Sequence, residues 1–331
     1  MPVSYTRLTP GHDTLVELGF AATELVPSWT ADAPEGTWIE VSLQARLATG
    51  ELTKWYVMGR WSEEPGRASV PGQGDEHGDV AVDTFVAKTP VTACRVRAAA
   101  HGAGARVRSL GLMASAVPHR PSVPPSPASS AEPVTLDVPR YSQRAHTGHH
   151  PEWDGGGAHW CSPVSVAMVL AYWGRGPGPA ELAWVAPDDP CPAVDHAARG
   201  TYDRSYQGTG NWPFNVAYAG RYGLDGLVTR LHSAVELERL VRAGVPVVTS
   251  LSFKEHELPG SGFSTGGHLM VVAGFTAGGD IVANDPADPQ VRKVYPRAAF
   301  ENVWLRSSGS AGIVYILHPP GHRLPPSDGN W

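Results

Sequence analysis

The segment SAVPHRPSVPPSPASSAEPV, residues 115–134, constrains the fold of this chain more than any other stretch. It holds six prolines and five serines, so it has few backbone donors and little apolar surface. Such a stretch neither continues a helix nor enters a sheet interior, and it reads as a stiff, polar linker. The chain of 331 residues is long enough for two domains of ordinary size. The expected organisation is therefore one domain over 1–114, the linker over 115–134, and a second domain over 135–331.

Ahead of the linker, short alternating runs recur between Gly, Pro and Asp. WIEVSLQAR (38–46) places Ile39, Val41, Leu43 and Ala45 on one face and polar residues on the other, the period of a half-buried strand. TKWYVMGRW, VAVDTFVA, VTACRVRAA and RVRSLGLMA read the same way, which predicts an all-β sandwich. Trp29, Trp38, Trp55 and Trp61 read as core or sheet-surface aromatics, with a sugar-binding platform as the alternative. GQGDEHGDVAVD carries Asp75, Asp79 and Asp83, either plain turn residues or a calcium loop.

After the linker, helical patterns come first and strands second, an α+β layout. Helices are expected over 162–173, around PAELAWVA and in NWPFNVAYAGRYG. A further helix is expected in SAVELERLVRAG, opened by a Ser233/Glu236 capping box. Strands are expected over 245–253, 268–275, 280–285, 291–295 and 312–318.

Within this second part, AHWCSPVSVAMVLAYWG (158–174) puts Cys161 in front of an apolar helix. Ser162 is the expected cap, Pro163 suits the first turn, and Gly174 stops the helix. A thiol at the positive end of a helix gains stability as the nucleophilic thiolate, whereas a purely structural thiol gains nothing there. A buried structural cysteine is the competing interpretation.

A nucleophilic thiol needs a base, and the base needs an orienting group. STGGHLMVVAGFTAGGDIVANDPA (264–287) supplies both if TAGGD turns a hairpin. With Phe275 opposite Asp280, Met270 faces Asp285, and His268 becomes a diagonal neighbour of Asp285 on the same face. A slip of one residue separates them. Acyl transfer also needs donors for a developing oxyanion, for which the Gln143 amide in VPRYSQ and the Cys161 N–H are candidates.

The order VPRYSQ, WCSPVSVAMVLAYWG, GGHLMVVAGF and IVANDP resembles the papain-like cysteine peptidases related to the double-glycine leader peptidases of bacteriocin processing. The likeness is to their free-standing bacterial type and covers roughly residues 135–320. It implies a papain-like fold of helices on an antiparallel sheet, with Cys161 as nucleophile, His268 as general base and acid, Asp285 as orienter and Gln143 as oxyanion donor. The stretch between Gln143 and Cys161 is longer than that family usually shows. The first domain resembles the β-sandwich that precedes the catalytic part in related actinobacterial-type proteins.

The expected function is thus a cysteine peptidase or amide hydrolase working through a thioester. Acyl transfer by the same triad, or an inert two-module binding protein, are the alternatives. Trp160, Trp212, Asn211 and Gly267 are the candidate substrate-binding residues. Arg199 and Asp203, in the same tract as Asn211 and Trp212, either line the groove or tie their loop to itself. The insertion 144–160 reads as a flap with Trp153 and Trp160 as its contact surface. Its His146, His149, His150 and His159, beside Cys161, offer a zinc alternative, but the spacing lacks the usual paired motif. No metal and no organic cofactor are expected.

Cys191 reads as structural and Cys94 as core. A formal net charge of −6 argues against nucleic acid as a partner. The first domain leaves a carbohydrate or cell-surface ligand open. No run approaches the ~20 apolar residues a membrane helix needs. The N-terminus lacks a basic segment followed by an apolar one. As it stands the chain reads as cytoplasmic; trimmed of a leader, it would read as secreted.

Overall fold

The computed structural model describes residues 1–331. The N-terminal part is all β, with strands β1 (Val3–Leu8), β2 (Val16–Asp32), β3 (Trp38–Leu47), β4 (Tyr56–Trp61), β5 (Gly78–Ala81), β6 (Thr84–His101) and β7 (Arg106–Ser115). They hydrogen-bond in the order β1-β7-β2-β6-β3-β4, with β5 on β6. The two long strands carry the architecture, since β2 pairs with both β6 and β7 and shifts register along the way. The stretch VAVDTFVA is not one strand. Val82 takes a positive φ of 60° and the Asp83 N–H bonds the Ala81 carbonyl, so the run is the β5–β6 turn.

The aromatic residues of this sheet are occupied by the protein itself. Trp29 and Trp61 are fully buried. Trp38 stacks on His101 at 3.8 Å between ring centroids, and Trp55 is covered by Arg95 and Arg97. The calcium loop does not form either. Asp75 pairs with Lys54 and accepts from the amides of its own turn, Asp79 accepts from Val80, and Asp83 bonds the Trp212 amide.

The second part is α+β. After the short β8 (Val134–Thr135) come helices α1 (Cys161–Tyr172), α2 (Pro179–Leu182), α3 (Pro192–Thr201) and α4 (Trp212–Arg221). Next are β9 (Asp225–Arg230), α5 (Ala234–Arg242), β10 (Val247–Phe253), β11 (Thr265–Phe275), β12 (Ile281–Asn284), β13 (Arg292–Tyr295), α6 (Arg297–Leu305) and β14 (Ile313–His318). The antiparallel sheet runs β13-β12-β11-β10-β14-β9. Its strands alternate between two cores. Leu269, Val271 and Ala273 pack with α1 and α4, while Met270 and Val272 pack with α5 and α6.

Two local expectations change. PAELAWVA forms only the single turn α2. The capping box of α5 is not made, because Glu236 accepts from the His232 amide and pairs with its ring instead of reaching Ser233.

The two parts share one apolar core rather than hanging on a tether. Phe214 of α4 inserts between Trp29 and Trp61, at 6.2 and 5.7 Å between ring centroids, and lies against Gly59. The buried Arg67 donates to the Arg199 carbonyl at 2.6 Å, and Asp203 accepts from the Ser69 amide at 3.0 Å. The Pro/Ser-rich segment is extended and strapped over α5 and α6. The amides of Val123, Ser126 and Ser129 bond Asn302, Glu301 and Glu238.

Candidate active site

Helix α1 is buried on every face from Ser162 to Leu170, so its position is fixed by packing all round. Its first residue is Cys161, one place earlier than expected. Trp160 is the N-cap and makes no side-chain cap. The Ser162 hydroxyl is instead 3.1 Å from Tyr315 Oη on β14, and Ser165 Oγ donates to the Leu269 carbonyl on β11 at 3.3 Å. These two bonds seat the leading end of α1 against the sheet. The Cys161 amide is among those a helix cannot satisfy internally, and the thiol, half-buried, opens to a cleft of about 850 Å³.

The β11–β12 hairpin brings His268 and Asp285 together. Near the turn the register differs from the expected one: Phe275 pairs with Ile281, not Asp280. A bulge between Val272 and Gly274 absorbs the extra residue. Beyond it Val271 pairs with Asn284, which restores the expected alignment of Met270 with Asp285. His268 Nε2 donates to Asp285 Oδ1 at 2.7 Å. Asp285 also accepts from Tyr295 Oη at 2.7 Å and from the Ala287 amide at 2.9 Å.

The electrostatics follow from this enclosure. Burial by itself would lower the His268 pKa, but the Asp285 charge and hydrogen bond, with a smaller contribution from Cys161, push it from 6.5 up to about 10. Burial would raise Asp285; the imidazolium, Tyr295 and the Ala287 amide outweigh it and hold the carboxyl below its ordinary value. Cys161 acts on the ring closely enough to help raise its pKa, and with Nε2 taken by Asp285 the nitrogen left to serve the thiol is Nδ1. Phe253 and Phe263 pack edge-on against the imidazole, and His268 and Asp285 are both buried.

Gln143 opens a 3-10 turn and lines the same cleft. Its backbone amide is tied to the Pro286 carbonyl at 2.9 Å, next to Asp285. Its side-chain NH₂ donates one proton to the Ala158 carbonyl at 2.5 Å, which leaves the second free.

Of the candidate substrate-binding residues, Trp212 and Gly267 line the cleft. Trp160 and Asn211 do not. Trp160 is fully buried and its indole N–H bonds the Trp153 carbonyl. Asn211 is buried, caps α4 by accepting from the Phe214 amide, and donates to Asp203. Both misassignments have one cause: each residue borders a functional element in sequence while its side chain points into the protein. Arg199 and Asp203 likewise serve the contact between the two parts.

The insertion 144–160 does border the cleft through Thr147, Asp154, Ala158 and His159. Trp153 and Trp160, however, face inward. Tyr206 and Phe263 also line the cleft and were not singled out from sequence; both lie in Gly/Ser-rich loops with no periodicity to mark them. The zinc alternative at Cys161 does not assemble. His159 bonds the Asp154 carbonyl, His150 stacks on Trp153, and neither joins Cys161 in a group within ligating distance.

Residues 135–312, more than half of the chain, match the family described as Peptidase_C39 like. The chain belongs to the Peptidase C39-like family. Residues 12–115 match the Peptidase C39 N-terminal domain, so the Pro/Ser-rich segment falls between the two matches. A solved structure described as a C39-like peptidase from Bacillus anthracis is 21% identical, covers 56% of this chain and 97% of its own, and has a TM-score of 0.35. A double glycine motif protease from an AMS/PCAT transporter, in complex with the leader peptide, is 20% identical with the same coverage and a TM-score of 0.30. No curated protein matches. The α+β architecture and membership of a C39-like peptidase family agree with the resemblance noted from the motifs. No helix is long and apolar enough to cross a membrane.

Proposed function

We propose that this chain is a cysteine peptidase in which Cys161, His268 and Asp285 form a working triad and Gln143 supplies an oxyanion donor. The observation that carries the reading is the imidazole held between two partners, 2.7 Å from a buried carboxylate and facing a thiol at the start of a helix on the cleft wall.

The chemistry follows from those positions. The Cys161 proton moves to His268 Nδ1, and the sulfur forms a bond to the carbonyl carbon of a peptide or amide. The negative oxygen is held by the Gln143 side-chain N–H and the Cys161 amide. Collapse breaks the C–N bond as His268 returns its proton to the leaving amine, giving a thioester. Water then gives a proton to His268 and adds to the thioester carbonyl. The C–S bond breaks, the acid departs and the thiol is restored. Asp285 keeps the ring in the orientation and tautomer this cycle needs.

Gly266 and Gly267 begin β11 at the cleft, and the space beside each is open. An extended peptide can approach the backbone there, which favours a peptide over a compact small molecule. Residues 1–114 act as an accessory domain rather than a detached recognition module. Asp83 accepts from the Trp212 amide at 2.7 Å, so this half helps set one wall of the cleft.

The test is cleavage of a random-sequence peptide pool, with products identified by mass spectrometry. Wild-type chain should release new termini and Cys161→Ala should release none. Transfer of the acyl group to an added amine, with no free acid formed, would redirect the reading to acyl transfer. No turnover by wild-type chain would contradict it.

A further inference from the structure

Four side chains gather about the other end of the insertion, away from the thiol. His146 closes the 3-10 turn that begins at Gln143, His149 follows it, Asp189 precedes α3, and Asp195 lies in the first turn of α3. Their ligating atoms all lie within 4.8 Å of one another. His146 Nδ1 is 2.7 Å from Asp195 Oδ2 and 3.6 Å from Asp189 Oδ2. His149 Nδ1 is 3.3 Å from Asp189 Oδ2 and 3.2 Å from Asp195 Oδ1. For a tetrahedral zinc with bonds of about 2.0–2.1 Å, ligand atoms stand about 3.3 Å apart.

The decisive atom is His146 Nδ1. The ring is fully buried, and despite the 2.7 Å approach its nitrogen makes no hydrogen bond; nor do Asp189 Oδ2, Asp195 Oδ2 or His146 Nε2. In an ion pair of imidazolium and carboxylate, the N–H would aim at oxygen. Here only His149 Nδ1 and Asp195 Oδ1 share a hydrogen bond, at 3.2 Å, and the other facing atoms have none. Buried polar atoms without partners cost about 1–3 kcal/mol each, and buried carboxylates more. A divalent cation satisfies His146 Nδ1, Asp189 Oδ2 and Asp195 Oδ2 together, and two neutral imidazoles with two carboxylates cancel its charge.

We propose that His146, His149, Asp189 and Asp195 bind one divalent cation, with zinc preferred for its N₂O₂ tetrahedral set. The site clamps the insertion to α3. It lies behind the catalytic wall, because His146 is in the turn started by Gln143 and its ring packs against Trp160, the residue before Cys161, at 6.2 Å between centroids. The proposal concerns binding and stands whether or not the chain is a peptidase.

The test is metal analysis of untagged full-length chain purified without chelator, followed by EDTA treatment and titration with zinc alone. The expected result is about one zinc per chain, a rise in Tm on adding zinc back, and protection of the 144–160 segment from proteolysis. His149→Ala and Asp189→Asn should keep the wild-type circular dichroism but weaken zinc binding at least about tenfold. These two carry the test if the buried His146→Ala fails to fold. Wild-type chain that holds no metal and gains no Tm from zinc would overturn the proposal. So would zinc binding that is equal in wild type and both variants.

Discussion

His268 Nε2 and Asp285 Oδ1 meet at 2.7 Å across seventeen residues of chain, although their two strands pair in one register at the turn and another at the site. The bulge between Val272 and Gly274 reconciles the two. The contact is thus a property of the whole hairpin, and the imidazole depends on it for both its orientation and its charge.

The pH dependence follows from that contact. His268 in the folded chain titrates at about 10 rather than 6.5. The stability it contributes is therefore complete below 6.5 and is lost as pH rises through about 10. Asp285 is lowered, so its contribution is present above the ordinary carboxylate pKa and lost as pH falls through the folded value. Activity should persist into alkaline solution and decline near pH 10. Asp285→Asn should bring that decline to lower pH and reduce kcat by about 10²- to 10⁴-fold, as read from a pH–rate profile.

Gln143→Ala should lower kcat by about 10²- to 10³-fold with little change in KM, because an oxyanion donor acts in the transition state and not in substrate binding. A change confined to KM in steady-state kinetics would assign Gln143 to substrate binding instead.

Gly267 has open space where a side chain would stand. Gly267→Val should fold normally, with Tm unchanged by thermal melting, yet raise KM at least about tenfold by filling the approach of an extended peptide. An unchanged KM would remove this strand end from the peptide path.

The two halves should unfold as one unit. Phe214→Ala removes the ring between Trp29 and Trp61 and should cost about 3–5 kcal/mol. In urea, monitored by both fluorescence and circular dichroism, wild-type chain should show a single shared transition. Two separate transitions would mean that the common core is not cooperative.

The sequence carried the fold class and the meeting of His268 with Asp285 further than the bounds of individual elements. Cys161 could be placed because proline and an apolar run announce a helix start. The hairpin could be placed because glycines announce its turn; the bulge could not, since nothing in VVAG distinguishes a bulged residue from a paired one. Asn211 and Trp160 were misassigned because proximity to a site in sequence does not report which way a side chain points. The metal cluster was only half visible. His146 and His149 stand out, but their carboxylates come from a segment 46 residues on, as for His149 and Asp195. Only the packing of α3 against α1 brings them near. The β1 and β2 strands, α3, β9 and α6 were not anticipated, since their periodicity is broken by bulges, short lengths or polar residues that serve the contact between halves.

Thiol reactivity tests the central claim most directly. Cys94 is fully buried and its thiol is pushed up by that burial. The Cys191 thiol is pushed up to about 12, by burial and by Asp189 and Asp195. Cys161 alone combines access with an imidazole partner. Iodoacetamide near neutral pH, followed by peptide mapping, should therefore modify Cys161 ahead of the other two, and His268→Ala should abolish that preference. Equal labelling of the three thiols, or rapid labelling of Cys161 that survives His268→Ala, would contradict the account.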